Sequence, residues 1–254
     1  MSDLVVLLGQ HIGYSASPAI HDAAFAALGM DARYELADVA PEGLTGAVDA
    51  LRGAGRIGAN VTQPHKLAVC ELVDELAPEV ERLGAANTIV RHGSRLAAHN
   101  TDLPGLAAEL ADLGGFRTAA VLGAGGASRA AQAALTDAGV TVQVVNRAAW
   151  ATLPGVLAEV DLVVNATPIG TGADESPVPA SLLRPDLAVL DLVYRPSPTR
   201  LVREARAAGA AARDGGGVLL RQAAASFELW TGRGAPVEAM RTALTHELGA
   251  ITDA

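Results

Sequence analysis

Short apolar runs alternate with segments of helical periodicity along the whole chain. The runs predict strands, because buried strands of a parallel sheet are continuously apolar, and the periodic segments predict helices. Strands that alternate with helices indicate an α/β fold. In the amino-terminal part the predicted strands are 4–8, 33–37, 57–61, 88–91 and 95–98, and the predicted helices are 18–28, 41–52, 64–76, 78–83 and 103–112.

A second α/β set begins at Thr118. Its predicted strands are 118–122, 140–145, 160–164, 187–190 and 210–213. An Ala-rich helical segment continues from the glycine cluster 123–130 to about Ala138, and further helices are predicted at 200–208 and 236–248. Two sets in succession indicate two domains with a cleft between them. Phe227 and Trp230, on one face of a further helical segment, are expected to be packing anchors in a chain with few aromatic residues.

The stretch from Thr118 to Arg147 has the order of a dinucleotide-binding unit: strand, glycine turn, helix, strand. Its turn is the cluster GAGGASRA, residues 123–130. Gly123 permits a tight turn, and Gly125 lets the backbone approach a pyrophosphate. The helix then presents unpaired N–H groups to that anion. A glycine cluster alone is often only a turn, and Ser128 replaces the last glycine of the usual pattern, so the prediction depends on this context.

The end of the second strand of this unit distinguishes NADP from NAD. An NAD-specific site carries Asp or Glu there, whereas this chain has Asn146 and Arg147. A guanidinium suits a 2′-phosphate, which favours NADP. The alternative is that Arg147 is an ordinary solvated side chain.

Two serines precede a predicted helix in the first loop of the chain. Ser17 is followed by Pro18, a combination typical of a helix start in which serine caps the free N–H groups. Ser15 adds a second hydroxyl at the same end. Because that end of a helix is positive, the pair could also hold a carboxylate.

Polar residues follow other predicted strands as well. Thr62 and Lys66 lie in the stretch GANVTQPHK, where α/β proteins place their ligands. A lysine on a helix is usually a solvated charge, and function is the alternative here. Thr101 and Asp102 either cap the helix opened by Pro104 or contribute to a site.

Composition narrows the classes of partner. Half of the 254 residues are hydrophobic but only 3% are aromatic, so the core must consist of Ala, Leu and Val. A net charge of −9 argues against nucleic acid or an anionic membrane as partner. The single cysteine, Cys70, excludes an internal disulfide, and no Cys/His cluster has metal-ligand spacing. With no signal peptide or apolar span of about 20 residues, the protein is expected to be cytoplasmic.

Taken in order, these stretches resemble the shikimate dehydrogenase family over nearly the full chain. Any one motif is weak, whereas the ordered set is specific. The matching motifs are Ser15-x-Ser17-Pro18, Asn60-Val-Thr-x-Pro-x-Lys66, Ala86-Asn87-Thr88, Asn100-Thr101-Asp102, residues 123–130, Asn146-Arg147, Asn165-Ala-Thr-Pro, Asp191-Leu-Val-Tyr194 and residues 222–232.

The resemblance implies a monomeric or homodimeric enzyme of aromatic amino-acid biosynthesis that reversibly reduces 3-dehydroshikimate to shikimate with NADPH. It implies a substrate-binding domain with a mainly parallel sheet, residues 1–101 with 222–254, and a Rossmann-like NADP-binding domain, residues 102–221. Lys66 and Asp102 would form the catalytic acid–base pair. The implied substrate-binding residues are Ser15, Ser17, Thr62, Asn87, Tyr194 and Gln222, and the implied cofactor-binding residues are Gly123, Ala124, Gly125, Gly126, Ala127, Asn146, Arg147 and Thr167.

Some positions depart from the family pattern. His11 and Tyr14 stand where the family commonly has Pro and His. Ala148, Ala149 and Trp150 replace a usual Thr and a further basic residue, which weakens the expected 2′-phosphate site. These departures leave open a paralogue that acts on quinate or an aminated shikimate. A nucleotide-sensing binding protein without turnover is the alternative from another class, and retention of both catalytic residues argues against it.

Overall fold

Two α/β units make up the described part of the chain. The structure is a computed structural model, and it describes residues 3–249. The first unit contains the residues up to Asp102 and Leu220–Glu247, and the second contains Leu103–Leu219 and the described residues from Leu248 onward. The family resemblance implied that the whole tail from residue 222 belongs to the first domain. The described tail differs from that prediction at Leu248, which lies near Gly216 of the second unit, and residues 250–254 lie outside the described residues.

Strands and helices alternate through most of both units. The strands are β1 (Asp3–Gly9), β2 (Ala32–Asp38), β3 (Arg56–Val61), β4 (Glu75–Leu76), β5 (Thr88–His92), β6 (Arg95–His99), β7 (Thr118–Leu122), β8 (Thr141–Val145), β9 (Leu162–Asn165), β10 (Ala188–Asp191) and β11 (Ala212–Arg213). The α-helices are α1 (Ser17–Ala27), α2 (Leu44–Ala50), α3 (Pro78–Leu83), α4 (Asp102–Leu113), α5 (Gly126–Asp137), α6 (Leu153–Ala158), α7 (Arg200–Ala207), α8 (Gly216–Thr231) and α9 (Val237–Leu248). Short 3-10 helices lie at Pro41–Gly43, Ala68–Glu71, Arg147–Thr152 and Ala180–Leu182.

Each unit has one sheet. In the first unit the strand order is β2-β1-β3-β5-β6-β4, with parallel pairs except at β3–β5 and in the β5–β6 hairpin. In the second unit the order is β11-β10-β9-β7-β8, and all the pairs are parallel. These sheets confirm the predicted α/β class and its mainly parallel first sheet.

Strand order reverses beside the first strand of each sheet. The chain leaves β1 through α1 to β2 on one side, whereas β3 lies on the other side. It likewise leaves β7 through α5 to β8, whereas β9 lies on the other side. Loops that leave such neighbouring strands in opposite directions open a crevice at the carboxyl edge of the sheet, where α/β proteins bind ligands. The predicted Ser15–Ser17, Thr62–Lys66, glycine-rich and Thr167 loops all follow these strands.

Aliphatic side chains build the core, as the composition requires. Leu4, Val6 and Leu8 of β1 pack in one cluster with Val48 of α2 and Leu51, the residue directly after α2. In the second unit, alternate residues of β7 enter different clusters, as expected for a strand covered on both faces. No helix among residues 3–249 is long and apolar enough to cross a membrane.

The two predicted aromatic anchors lie on α8. Phe227 is fully buried and its ring centroid lies 5.5 Å from that of Phe25 on α1. Trp230 donates from its indole nitrogen to the Ile89 carbonyl at 2.9 Å. This contact requires Gly58 on β3, because a Cβ there would lie 2.4 Å from the same indole nitrogen. The end of α8 is therefore fixed against β3 and β5.

Residues 64–76, predicted as one helix, fold differently. They form turns, a 3-10 turn at Ala68–Glu71 and the short strand β4. Their backbone groups bond across the fold instead of along a helix: the Lys66 carbonyl accepts from Ala86 N at 2.8 Å, and Asp74 N donates to the Leu96 carbonyl at 2.9 Å. The apolar spacing was that of a helix, but tertiary hydrogen bonds determined the backbone.

Helical structure also occurs where the sequence predicted none, between β8 and β9. The 3-10 helix Arg147–Thr152 leads into α6. Asn146 starts this segment, because its side-chain oxygen accepts from Ala148 N at 3.0 Å and from Ala149 N at 3.2 Å.

Candidate active site

Lys66 lies in a turn that is held to neighbouring strands by its backbone. At the start of this turn Thr62 N donates to the Leu8 carbonyl at 2.9 Å, and the Lys66 carbonyl accepts from Ala86 N. The imidazole of the buried His65 lies 2.7 Å from the Val39 carbonyl. These bonds fix the backbone of Lys66 at the edge of the sheet, so its side chain extends from a fixed position.

The ammonium of Lys66 pairs with the carboxylate of Asp102, the first residue of α4. Lys66 Nζ lies 2.6 Å from Asp102 Oδ2, and the two side chains are only 13% and 12% exposed. The other carboxylate oxygen, Oδ1, accepts from Asn87 Nδ2 at 2.9 Å. Both oxygens of Asp102 therefore have a fixed donor. The pair has the geometry that an acid–base site needs, with a nitrogen held by a carboxylate that is itself held.

Lys66 is also the single lysine of the chain, since the other 18 of its 19 basic Lys and Arg residues are arginines. An arginine side chain keeps its proton in proteins, whereas a lysine side chain can release one. The chain thus carries its surface cations on arginine and has lysine only beside Asp102. This count was available in the sequence and would have strengthened the functional reading of Lys66 over a solvated charge.

Gln222 joins this group from α8. It is buried, and its Oε1 accepts from Asn87 Nδ2 at 3.3 Å. The amide nitrogen of Asn87, a residue expected to bind substrate, lies within hydrogen-bond distance of three acceptors, Thr101 Oγ1, Asp102 Oδ1 and Gln222 Oε1, which share its two N–H groups. The predicted residues Lys66, Asn87, Asp102 and Gln222 are therefore brought together in the first unit.

The serine loop lies on the neighbouring strand end, and its local structure corrects one prediction. Ser17 does not cap α1, because the residue in the N-cap position is Ala16 and no side-chain cap is formed. Instead, Ser17 N donates to Ser15 Oγ at 3.2 Å. The helix begins one residue early, since Pro18 suits its first turn and Ser17 is already in it. The Ser17 hydroxyl is thereby left out of the cap.

Gly9 brings the loops after β1 and β3 into contact. A Cβ at Gly9 would lie 2.4 Å from Thr62 Cγ2 and 3.3 Å from the Gln63 carbonyl oxygen. Gln10 N donates to that same carbonyl at 3.1 Å. The loop that carries the two serines and the turn that leads to Lys66 therefore lie side by side at one edge of the sheet.

The predicted nucleotide loop in the second unit has the expected backbone. Gly123 has a φ of +112°. A Cβ there would lie 2.8 Å from the Ala166 carbonyl oxygen, so only glycine fits. Arg129 N makes the first bond of α5, to the Gly125 carbonyl at 3.1 Å, and so the N–H groups of residues 126–128 have no partner along the helix. A Cβ at Gly125 would meet nothing within 4 Å, which leaves open space in front of these donors.

Asn146 and Arg147 follow β8 in the same unit. The Asn146 side-chain oxygen is used locally as a cap, which orients the next residue. Arg147 is exposed, and no ion pair or hydrogen bond of its guanidinium is found among the described residues. It is therefore available to an anion from solvent.

Thr167 is positioned by a chain of buried hydrogen bonds that sequence analysis did not identify. Its backbone N and its hydroxyl donate to Asn165 Oδ1, at 3.0 Å and 2.7 Å. Asn165 Nδ2 in turn donates to Asp191 Oδ1 at 2.8 Å, and Thr199 donates to Asp191 Oδ2 at 2.7 Å. Burial raises the pKa of Asp191 to about 6, against the opposing effect of these donors. The register of β9 and β10 places Asn165 and Asp191 side by side at their strand ends.

Tyr194 is the one predicted substrate-binding residue that belongs to the second unit, where it lies in the loop after β10. Sequence analysis did not predict that a set of buried polar residues meets behind Asn87, although most of them lie in the quoted motifs. The set consists of Asn60 on β3, Thr88 on β5, Thr101 directly before α4 and Ser226, one helical turn after Gln222 on α8.

Comparisons with known proteins identify the family. A model described as the shikimate dehydrogenase substrate binding domain matches residues 7–89, and one described as the shikimate 5′-dehydrogenase C-terminal domain matches residues 215–245. The shikimate dehydrogenase (NADP(+)) of Halorubrum lacusprofundi is 44% identical over 97% of this chain and 99% of its own.

Solved structures agree with this assignment. The shikimate 5-dehydrogenase of Thermus thermophilus, in complex with NADP(H) and shikimate, is 38% identical with a TM-score of 0.88 over 97% of this chain and 100% of its own. The quinate dehydrogenase of Corynebacterium glutamicum, in complex with NAD, is 30% identical with a TM-score of 0.86 over 96% of this chain and 99% of its own. The similarity runs through both units and includes the turn that carries Lys66, and the chain belongs to the shikimate dehydrogenase family.

Proposed function

We propose that this chain is a shikimate dehydrogenase that reversibly reduces 3-dehydroshikimate to shikimate with NADPH. The relatives in the family comparison are named for this activity with NADP(+). The observation in this chain that carries the proposal is the Lys66–Asp102 pair at 2.6 Å, shielded from solvent and held by Asn87. A lysine that served only as a surface charge would not need a buried carboxylate that is itself held by Asn87.

The two units are proposed to divide the work as the resemblance implies. The substrate would bind to the domain formed by residues 1–101 with 222–254, through Ser15, Ser17, Thr62, Asn87 and Gln222, with Tyr194 contributed by the other domain. The cofactor would bind to residues 102–221. The contact between the serine loop and Thr62 at one sheet edge supports the first assignment.

The residues of the second unit fit NADP. The free N–H groups at the start of α5 suit a pyrophosphate, and the space beside Gly125 lets it approach. Ala124, Gly126 and Ala127 belong to the same turn. The exposed guanidinium of Arg147 suits a 2′-phosphate. Thr167 borders Gly123, since its Cγ2 would lie 3.4 Å from a Cβ at that glycine.

The chemistry assigned to Lys66 is proton transfer at the substrate hydroxyl. When bound, NADP⁺ would supply the hydride acceptor in oxidation, and NADPH would supply the hydride donor in reduction. In oxidation the neutral Lys66 amine accepts the hydroxyl proton as the carbon–hydrogen bond breaks. In reduction the Lys66 ammonium returns that proton to the carbonyl oxygen and stabilises the negative charge that develops on it. Asp102 aligns Lys66 Nζ through one oxygen and is aligned by Asn87 through the other.

Substitution of Lys66 tests this assignment. Lys66→Ala should lower turnover of shikimate with NADP⁺ by about 10²–10⁴-fold, which is typical for loss of an acid–base group. Lys66→Arg is the matched variant, since it keeps the positive charge but cannot release a proton. Both variants should bind NADP⁺ with wild-type affinity in calorimetry, because Lys66 is in the first unit. Wild-type turnover in either variant would remove Lys66 from the mechanism.

The same assay separates the alternatives. Similarity to a quinate dehydrogenase, together with His11 and Tyr14 in the serine loop, is the reason to include quinate and NAD. We expect the highest kcat/KM for shikimate with NADP⁺. A preference for quinate or an aminated shikimate would identify a paralogue. Nucleotide affinity without turnover of any of these substrates would favour the sensor.

A further inference from the structure

Three buried hydroxyls meet behind Asn87. Thr88 and Ser226 are fully buried, and Thr101 is 3% exposed. Their oxygens form a triangle with sides of 2.8 Å between Thr88 and Ser226, 3.0 Å between Thr101 and Ser226, and 3.2 Å between Thr88 and Thr101. The three residues come from β5, from the residue before α4 and from α8, so the triangle joins elements that are far apart along the chain.

The triangle closes a ring of hydrogen bonds through the Asn87 amide. Asn87 Nδ2 donates to Thr101 Oγ1 at 2.9 Å, and Asn87 Oδ1 accepts from Thr88 Oγ1 at 3.2 Å. These distances allow each hydroxyl to donate once in the same direction: Thr101 to Ser226, Ser226 to Thr88, and Thr88 to Asn87. Ser226 links the two threonines through bonds of 2.8 Å and 3.0 Å, which are shorter than their direct contact of 3.2 Å.

The ring determines which way the Asn87 amide faces. With its oxygen held by Thr88 and by Thr101 N at 2.7 Å, its nitrogen points toward Asp102 and Gln222. A flipped amide would place its oxygen against the Asp102 carboxylate, where two acceptors would repel each other. The ring therefore holds the donor that fixes the second oxygen of Asp102, and through Asp102 it holds Lys66.

Asn60 supports the ring from β3. Its side-chain nitrogen donates to Ser226 at 3.1 Å and to Thr88 at 3.2 Å, while its oxygen accepts from the Tyr34 hydroxyl at 2.8 Å. Without the Ser226 hydroxyl, Asn60 would keep the Asn87 carbonyl at 3.1 Å and Thr88 at 3.2 Å as acceptors. The two threonines would lose their 2.8 Å and 3.0 Å bonds to Ser226 and keep only contacts of 3.2 Å with each other and with Asn87 Oδ1 as routes for their protons, which weakens the ring in a buried site.

We propose that Ser226 is a positioning residue of the active site: its hydroxyl closes the ring that orients Asn87 toward Asp102 and so aligns Lys66 for proton transfer. Ser226 lies one helical turn after Gln222 and does not itself touch Lys66 or Asp102. This inference rests on the proposed function, because its effect on turnover is an effect on Lys66.

The test compares Ser226→Ala with Thr231→Ala. Thr231 is the matched control, since it lies on the same helix and its hydroxyl donates only to the Phe227 carbonyl at 2.8 Å and to the Arg233 carbonyl. Ser226→Ala should lower kcat/KM for shikimate about fivefold to tenfold, which corresponds to loss of one buried hydrogen bond, and leave KM for NADP⁺ unchanged. Thr231→Ala should leave both constants unchanged.

A double-mutant cycle distinguishes positioning from mere stability. In an Asn87→Ala background there is no amide to orient, so Ser226→Ala should cause no further loss of kcat/KM. An equal loss in both backgrounds, or a lower Tm with wild-type kcat/KM, would overturn the proposal. If Ser226→Ala does not fold, Thr88→Val removes another hydroxyl of the ring while keeping the side-chain shape, and the same outcomes decide.

The single lysine provides a readout that does not require turnover. With lysine-selective ¹³C labelling, the protein gives one lysine Cε signal, that of Lys66. Ser226→Ala should shift or broaden this signal and Thr231→Ala should not; an unchanged signal in Ser226→Ala contradicts the inference. Failure of the proposed function is seen separately, as absence of shikimate oxidation by the wild-type protein.

Discussion

Acid should destabilise the first unit through His21. This imidazole on α1 is fully buried, stacks on Tyr34 with ring centroids 4.6 Å apart, and lies 5.1 Å from the ring of Trp230. Neither ring nitrogen has a hydrogen-bond partner among the described residues. Burial therefore lowers the pKa of His21 from 6.5 to about 3, because a charged ring would have no compensating contact.

The pKa difference determines the sign and size of the effect. Below pH 6.5 the unfolded chain takes up a proton at His21, whereas the folded chain does not until about pH 3. The contribution of His21 to stability is therefore complete above pH 6.5 and is lost as the pH falls. At pH 5 the loss is about 2 kcal/mol, since that pH is about 1.5 units below the unfolded pKa and each unit is worth about 1.4 kcal/mol.

The measurement is a difference between variants. His21→Phe keeps a ring in the stack and removes the titration, and urea unfolding at pH 7 and pH 5 gives the unfolding free energies of both proteins. The wild type should lose about 2 kcal/mol more than His21→Phe between these pH values. His92→Phe, at the exposed end of β5, is the matched control and should behave like the wild type.

Subtraction also removes the contribution of Asp191. Because burial raises the pKa of Asp191 to about 6, its contribution has the opposite sign: it is present at low pH and is lost as the pH rises through 6. It is the same in all three proteins and cancels. Equal losses of unfolding free energy in the wild type and in His21→Phe would refute the reasoning.

Two further predictions concern the proposed NADP site in the second unit. Gly123→Ala should lower the unfolding free energy by about 2 kcal/mol or more, because its Cβ would lie 2.8 Å from the Ala166 carbonyl oxygen at a φ of +112°. Gly125→Ala has open space at its Cβ, so it should keep wild-type stability in thermal unfolding. The same variant should lose affinity for NADP⁺ in calorimetry. Equal stability of the two variants would contradict this account. Arg147→Gln should weaken NADP⁺ binding about tenfold or more and leave NAD⁺ binding nearly unchanged, and an equal change for both nucleotides would show that Arg147 does not contact the 2′-phosphate.

Much of the fold could be predicted because local pattern and tertiary structure agree in most of the chain. The continuous apolar run of residues 118–122 became β7, and the glycine turn after it leads into α5 as expected. Predicted and observed secondary structure differ where backbone groups form long-range hydrogen bonds instead of local ones. Residues 64–76 have helical spacing, but the Lys66 carbonyl accepts from Ala86 in the loop before β5, and Asp74 N donates to Leu96 on β6. Nothing local to that stretch encodes these partners.

The same distinction applies to the site: some of its residues could be predicted from their positions at strand ends, whereas their contacts with one another depend on packing. Lys66 could be chosen in advance, because polar side chains that follow the carboxyl ends of neighbouring parallel strands lie at one edge of the sheet. Asn87 lies before β5, which is antiparallel to β3, and only the family resemblance indicated it. Which of them bond to one another is a different question, since it depends on how α8 returns to the first sheet. Gly58 admits Trp230, Trp230 fixes the end of α8, and that register brings Ser226 to Thr88. The support of the catalytic pair is therefore a consequence of packing more than 100 residues away along the chain, and this is why Ser226 could not be distinguished by sequence pattern alone from the other small residues of its helix.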